Sequence, residues 1–449
     1  MFISSILSFL GSAPACRFGR LALAGLLLLM LAPAASIASD PATQFERPPV
    51  LHAKDLVPAA LVSGTGFHVD DAVPTDGLQA IFTLHTDLGT LQVHSIELLR
   101  IRVAEVPAML ELARESKTKV FAQALARTGA EPIKAAGQMV MHPVDTVTGL
   151  PAGVGRFFGR VGLGAKRIKE AATEPEGAST GEKASEVAKR TGQTTRDILG
   201  YEQERRELAK RLHVDPYTSN PILSKQLDEF AVVAFRAHVA VTTTISVVVP
   251  GSMAITTTRI TSHMVWDTPR ADLIVNNQKT LEAMNIPPAT IKTFMRNPSF
   301  PLSVQTAFVE DLNDLAKVSG AADAVTLAST AESEDQARFL ADCIDMLSKY
   351  SKAHSPVARI IARGTIVGRD STGAIVVPAP VDYASWTVRT SNFANRADLA
   401  APQRSVWLTG QMSPLANKNF LALGWQVNQK TVLYPPATGL QEASAASHP

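Results

Sequence analysis

The chain has 449 residues, of which 46% are hydrophobic and 19% are charged, a composition typical of a globular protein with two or three domains. Its formal net charge is +2, and two of its arginines lie in a first segment that contains no acidic residue. A nearly neutral chain provides no basic face, so nucleic acid is excluded as a predicted partner.

The first segment, 1–38, has the pattern of an export signal. Arg17 and Arg20 precede the apolar run Leu21–Leu31, and Ser36-Ile37-Ala38 fits the rule for a small-residue cleavage site. We therefore expect a periplasmic or secreted protein. The alternative is that the segment is not cleaved and anchors the chain in the membrane.

Loss of this segment would remove Cys16 and leave Cys343 as the single cysteine. A single cysteine argues against an internal disulfide and against a cysteine-based metal site. Because Cys343 falls in a helical pattern with Leu340 and Leu347, we predict a buried apolar residue rather than a reactive thiol.

The region 39–170 is predicted to be α+β. Its proline-rich start, 39–60, is predicted to be extended. A long helix is expected to begin at Ile96, and helical structure is expected to continue to Val140.

A β-hairpin is predicted before that helix. The strands Gln79–His85 and Thr90–Ser95 flank Asp87-Leu88-Gly89, which we interpret as a three-residue loop with glycine in the left-handed position. In that register His85 and His94 point to opposite faces and cannot form a metal pair.

Strand residues before the hairpin include three further candidate ligands. His68 and Asp70 share a face, and Asp71 follows them. No other ligand stands at metal spacing, so we interpret these residues as solvated strand positions and predict no metal site.

His142 and Asp145 are the candidate catalytic residues. A histidine one turn from an aspartate can act as a general base with its orienting carboxylate. No nucleophile is identifiable beside them, and Asp145 fits a helix cap equally well. The chain has no Gly-x-Ser-x-Gly elbow, no His-Glu-x-x-His motif and no phosphate loop, so no cofactor is predicted. A hydrolase that uses His142 and Asp145 is one alternative function.

The segment Val154–Ile168 combines apolar and basic residues. Phe157 and Phe158 occur together with Arg160 and Lys166, a mixture typical of helices that lie on a membrane surface. It predicts peripheral membrane contact, with an ordinary core helix as the alternative.

A linker is predicted at 171–200 and a helical domain at 201–353. Within that domain a helix over 221–238 is expected, with Asn220 as its cap. The run Ala237–Thr258 has 22 residues without a charge, long enough to span a bilayer. An integral membrane protein is therefore a further alternative, although six threonines and Pro250-Gly251 favour a soluble element, either hairpin or helix.

The C-terminal region, 354–436, is predicted to be a small α/β domain, followed by a disordered tail at 437–449. Strands Ala358–Val367 and Ala374–Val377 flank the turn Asp370–Gly373. A strand–helix–strand unit follows, and its signals are the strand Val406–Leu408, the cap Ser413 with Pro414, the stop Gly424 and the strand Trp425–Val427.

Asp382, Tyr383 and Trp386 lie between the hairpin and this unit. They are interpreted as the lining of a ligand cleft or, more simply, as the start of a helix. Asp215, Tyr217 and Ser219 are explained by turn chemistry.

The motifs His142–Gly159, Asp215–Pro221 and Trp407–Val427 resemble a family of exported bacterial proteins of unassigned function. The resemblance implies export and a shared architecture, and it implies no activity, substrate or cofactor. The predicted fold class is α+β and mainly helical, with an N-terminal hairpin plus helices, a helical middle domain and a small C-terminal α/β unit. The leading hypothesis is a periplasmic, non-enzymatic interaction or scaffold protein with an unknown protein partner.

Overall fold

The computed structural model describes residues 45–128, 140–141, 200–237, 264–315 and 318–431. Among these residues 52% are helical and 19% are in strands, so the prediction of a mixed fold in which helix predominates is confirmed. The predicted signal segment and the predicted C-terminal tail lie outside the described residues.

The strands in this part of the chain are β1 (Val50–His52), β2 (Ser63–Gly64), β3 (Phe67–Val69), β4 (Ala72–Pro74), β5 (Ile81–Thr86), β6 (Gly89–His94), β7 (Val140–Met141), β8 (Val357–Ala362), β9 (Ile366–Asp370), β10 (Ile375–Ala379), β11 (Tyr383–Ala384), β12 (Arg404–Leu408), β13 (Gln411–Met412) and β14 (Gln426–Asn428). An N-terminal sheet has the order β2-β3-β5-β6-β7, and a C-terminal sheet has the order β14-β12-β10-β9-β8. Two further pairs join β1 to β4 and β11 to β13.

The helices of the described residues are α1 (Ala53–Leu56), α2 (Ala59–Val62), α3 (Ile96–Glu115), α4 (Lys119–Thr128), α5 (200–211), α6 (Pro221–Ala237), α7 (264–267), α8 (Arg270–Ala283), α9 (Pro288–Met295), α10 (Leu302–Asp314), α11 (Ala321–Ala328), α12 (Glu334–Ala353), α13 (Val388–Ala394) and α14 (Pro414–Ala422). The start of the N-terminal region is not simply extended, because β1 and α1 fall within 39–60 and α2 begins there. Val140 lies in a strand, so the prediction of helix as far as this residue is also wrong.

The N-terminal hairpin is tighter than predicted. Its loop is Asp87-Leu88, because Thr86 pairs with Gly89, and the expected three-residue loop is wrong. A change of one residue in the loop moves the register by one and exchanges the two faces of the strand. His85 and His94 therefore lie on the same face, four residues apart along the strands, or roughly 13 Å.

The face of this sheet that carries no histidine packs into a core. Its buried side chains from the hairpin and from the start of α3 are Phe82, Leu84, Leu91, Val93, Leu98 and Leu99. The alternation of buried and half-buried residues along β5 and β6 follows from the period of two in a strand. The opposite face, with the histidines, is left toward solvent.

Helix α6 begins where its sequence signals placed it. Asn220 Oδ1 accepts hydrogen bonds from the backbone N–H groups of Ile222, at 3.1 Å, and Leu223, at 3.3 Å. Pro221 takes the first helical position, where its missing N–H is not needed. The predicted cap and the predicted helix over 221–238 are confirmed, with the helix ending at Ala237.

Helices α8 to α12 form a continuous apolar core with one face of the C-terminal sheet. Phe294, Phe300 and Phe308 contact one another with ring centroids 5.1–5.9 Å apart. Cys343 is fully buried in this core, which confirms its predicted apolar role.

The C-terminal sheet lies between two helical layers. One face packs on α12 through Ile360, Ile366 and Val376, and the other packs on α13 and α14 with Trp425. The segment predicted as a single strand, Ala358–Val367, forms β8 and β9 with a turn between them. The strand–helix–strand unit is confirmed, since β12 and β14 are parallel neighbours and α14 connects them.

A buried polar network connects α3, the turn before α6 and α12. Arg102 donates hydrogen bonds to Glu105 at 3.1 Å, Ser219 at 2.6 Å and Glu334 at 3.0 Å. Arg338 donates a further bond of 2.8 Å to Glu334. Burial alone would raise the pKa of Glu334, but the two guanidinium groups outweigh it and hold the pKa at about 2.

Candidate ligand-binding cleft

A cleft of about 580 Å³ opens between α11 and the edge strand β8. Its residues come from α11 and the turn after it, from β8 and β9, and from the segment after α13. They are Asp323, Thr326, Leu327, Thr330, Arg359, Ile360, Ile361, Ala362, Arg363, Arg369 and Asp398. The volume falls in the range of sites that bind small molecules or peptide segments.

The helical wall of the cleft is a single stripe. Asp323, Thr326 and Leu327 have the spacing i, i+3 and i+4, which places them on one side of α11, and Thr330 follows in the turn after the helix. The alanines between them point into the core, where Ala324 and Ala328 are fully buried.

The strand wall has an edge that is only partly paired. Ser319 forms a single bridge with β8, accepting from the N–H of Ile360 at 2.8 Å and donating to the C=O of Ala358 at 3.1 Å. The chain then turns away at Gly320, where φ is +85°. Alternation along the strand directs the N–H and C=O of Ala362 to the same outer side, and neither has a backbone partner there among the described residues.

Arginines dominate the charge of the cleft. Arg359 and Arg369 are direct cross-strand partners, an arrangement of like charges that destabilises a sheet. Arg359 forms no ion pair within the described residues. Arg363 lies 3.9 Å from Asp398, but Asp398 already accepts two hydrogen bonds from Arg396, at 2.7 and 3.1 Å.

This arrangement favours binding of an anionic group. Guanidinium groups bind carboxylates and phosphates through two parallel hydrogen bonds. An acidic ligand between Arg359 and Arg369 would also offset the repulsion between them. Leu327 and Ile361 provide apolar contact beside the charges.

The candidate catalytic pair and the predicted membrane-contact residues fall in a part of the chain that the structure does not describe. His142, Asp145, Phe157, Phe158, Arg160 and Lys166 all lie outside the described residues. Of the proposed bilayer span, only Ala237 is described. None of the helices in the described part of the chain combines the length and the apolar character of a membrane span.

Asp382 does not line the cleft. Its carboxylate is buried and accepts hydrogen bonds from the backbone N–H groups of Ala80, at 3.0 Å, and Ile96, at 3.1 Å. It thereby joins the C-terminal region to the hairpin and to the start of α3. Burial raises the pKa of Asp382 to about 7, although the two N–H groups oppose this shift.

Two other predicted polar positions have structural roles. Asp215 accepts a hydrogen bond of 2.7 Å from the N–H of Tyr217, which confirms the predicted turn chemistry. Trp386 is buried in the C-terminal core, and the helix after it begins at Val388 with Thr387 as the cap.

The prediction that His68 and Asp70 have no further ligand at metal spacing is wrong. The antiparallel pairing of β3 with β5 brings His85 beside them, so that a histidine and aspartate cluster forms on the exposed face of the N-terminal sheet. The sequence gives no sign of which strand pairs with β3, and His85 was therefore left out.

The arginines of the cleft were also missed from the sequence. The turn Arg363-Gly364-Thr365, where Gly364 has a φ of +71°, is the signal that could have found them. It divides the predicted strand in two and sets Arg359 opposite Arg369. No known protein family, no curated protein and no solved structure matches the chain.

Proposed function

We propose that this protein is an exported, non-enzymatic interaction protein that binds an extended acidic segment of a partner protein in the cleft between α11 and β8. The observation that carries the proposal is the unneutralised Arg359–Arg369 pair beside an incompletely paired strand edge. Extended segments bind such edges through main-chain hydrogen bonds, and alternate side chains determine specificity.

An extended segment fits this edge better than a compact ligand does. The outward N–H and C=O of Ala362 offer one donor and one acceptor, continuing the pairing that Ser319 begins. Acidic side chains of the segment would lie over Arg359 and Arg363. Electrostatic attraction of this kind contributes to both the rate of association and the choice of partner.

Export and membrane contact belong to the same proposal. The pattern of 1–38 supports export, and the apolar and basic residues of Val154–Ile168 support contact with an anionic membrane surface. Release of 1–38 is checked by the mass of the protein recovered from the periplasm. Membrane contact is checked by sedimentation with phosphatidylserine vesicles at low salt. If the protein does not sediment with the vesicles, membrane contact is dropped from the proposal.

The cleft is tested with a defined peptide. A fluorescein-labelled nine-residue peptide in which glutamate alternates with valine is titrated with the full chain, and fluorescence anisotropy reports binding. We expect Arg359→Glu to weaken binding at least about tenfold, because it replaces attraction with repulsion. We also expect Ala362→Pro to weaken binding, because it removes the outward N–H without touching the β9 pairing.

The controls separate this site from general charge attraction. Lys418→Glu makes the same charge reversal at an exposed position of α14, which contacts β14 at the opposite edge of the sheet, and should leave binding unchanged. A peptide with lysine in place of glutamate should not bind. If Arg359→Glu binds as well as the wild type, or if millimolar citrate displaces the peptide completely, the cleft is not a site for a protein segment.

A further inference from the structure

The exposed face of the N-terminal sheet carries a second site that is independent of the cleft. We infer that His68, Asp70 and His85 bind a divalent transition-metal ion of the Zn²⁺ class. His68 lies in β3, Asp70 directly follows β3, and His85 lies in β5. Their side chains meet because of the strand register rather than because of their spacing in sequence.

Strand pairing explains why the two imidazoles are adjacent. His68 and His85 are cross-strand partners, so their side chains leave the sheet on the same face. Their rings are stacked, with centroids 4.7 Å apart and planes inclined by 15°. Asp70 stands two residues after His68, and a period of two returns it to that face.

The donor atoms are close enough to share one ion. One ligand atom from each of the three residues lies within 4.8 Å of the others, and His85 Nε2 is 3.1 Å from Asp70 Oδ1. Donor atoms held about 2 Å from one zinc ion are separated by roughly 3–4 Å. A small rotation of the side chains therefore brings all three to bonding distance.

His85 also has the second contact that metal-binding histidines usually have. Its Nδ1 lies 3.1 Å from Thr90 Oγ1, and Thr90 is its cross-strand partner on β6. A hydrogen bond from Nδ1–H to this oxygen fixes the ring and leaves the lone pair of Nε2 for the ion. When no metal is bound, the other tautomer fits the same distances, with Nε2–H donating to Asp70 Oδ1 and Thr90 Oγ1–H donating to Nδ1.

The ligand types indicate the class of ion. Two imidazoles and one carboxylate suit zinc, nickel, copper or iron, whereas magnesium and calcium prefer sites made of oxygen atoms. Three protein ligands leave at least one coordination position open, and the side chains of His85 and Asp70 are 34% and 49% exposed. Water or a donor from another molecule can complete the coordination.

A nearby pair shows what an ordinary surface interaction looks like. His52 Nδ1 is 2.7 Å from Asp71 Oδ2, and both side chains are 62% exposed. No third ligand in the described part of the chain joins this pair. His52→Ala is therefore a matched control, since it also removes a histidine bonded to an aspartate on the same part of the surface.

The experiment is a titration of the purified full chain, stripped of metal, with Co²⁺ and then Zn²⁺. Visible absorption of Co²⁺ reports coordination by imidazole and carboxylate, and calorimetry gives the affinity for Zn²⁺. We expect His85→Ala and His68→Ala to abolish binding at this site. Thr90→Val should weaken binding about 10- to 100-fold, and His52→Ala should leave the affinity and the spectrum unchanged.

The chain has ten histidines, so stoichiometry alone cannot identify the site. If His85→Ala or His68→Ala binds Zn²⁺ as tightly as the wild type, the assignment is wrong. Circular dichroism of each variant establishes that it is folded, and because these residues are exposed or half-buried we expect no loss of structure. Peptide binding in the cleft is measured on the same variants, so failure of one proposal does not affect the other.

Discussion

Gly410 is a residue whose small size the structure requires. A Cβ at this position would lie 2.0 Å from the backbone oxygen of Asp382 and 2.6 Å from that of Val381. These two oxygens accept hydrogen bonds from the backbone N–H groups of Gly410 and Gln411, so they cannot move away cheaply. We therefore expect Gly410→Ala to lower the free energy of unfolding by about 3 kcal/mol, measured by urea denaturation.

Gly364 provides the matched control. Its φ is +71°, and no atom lies within 4 Å of the position a Cβ would take. Gly364→Ala should cost only the left-handed backbone strain of about 1 kcal/mol. Equal losses for the two substitutions would contradict the steric explanation for Gly410.

Arg102 is the point at which α3 is joined to α12. Its guanidinium is 6% exposed and lies between the carboxylates of Glu105 and Glu334. Arg102→Ala removes the cation paired with buried Glu105 and one of the two guanidinium groups that bind Glu334, so we expect the free energy of unfolding to fall by about 3–5 kcal/mol. Chemical denaturation measures this loss.

Arg100, two residues earlier in the same helix, is exposed. Arg100→Ala should change stability by less than about 0.5 kcal/mol. A loss for Arg102→Ala no larger than that of this control would mean that the network does not hold the two helices together.

For the whole molecule, the buried carboxyl groups determine how stability varies with pH. Burial raises the pKa of Asp345 to about 6, of Asp382 to about 7 and of Asp311 to about 8. These groups stay protonated in the folded state after they ionise in the unfolded state. Their contribution to the free energy of unfolding is complete below about pH 4 and is lost as the pH rises from about 4 to 8.

Glu334 acts in the opposite direction, because its pKa is lowered to about 2. Its contribution is present above about pH 4 and is lost as the pH falls toward 2. We expect the urea midpoint to be highest near pH 4–5 and to fall toward pH 8. Asp382→Asn should flatten part of this decline, and a midpoint that rises steadily from pH 5 to 8 would contradict the prediction.

The signals that could be read correctly from the sequence are local ones. The cap Asn220 and the unit that begins at Ser413 and ends at Gly424 depend on hydrogen bonds between residues two to four positions apart. Backbone groups at helix ends need partners wherever the helix packs. For this reason caps, prolines and glycines marked these helices without knowledge of the fold.

Strand registers were harder to predict from the sequence than the ends of helices. The sequence predicted a three-residue loop at Asp87, whereas the structure forms a two-residue loop, and this difference reversed the relative faces of His85 and His94. The sequence likewise did not separate β8 from β9. At the hairpin a single residue of register decides which side chains share a face, and packing of the apolar face against the rest of the protein fixes that register.

The mainly helical α and β character, the capped helices and the apolar burial of Cys343 follow from the chain alone, because periodicity and end signals act over a few residues. Three side-chain contacts, in contrast, appear only in the folded protein. Asp382 bonds to Ala80 across 302 positions of the chain, Arg359 meets Arg369 across a turn, and His85 joins His68. The contacts of Asp382 and His85 depend on how separate elements pack, and no local pattern in the chain encodes them, whereas the turn at Gly364 marks the pairing of Arg359 with Arg369.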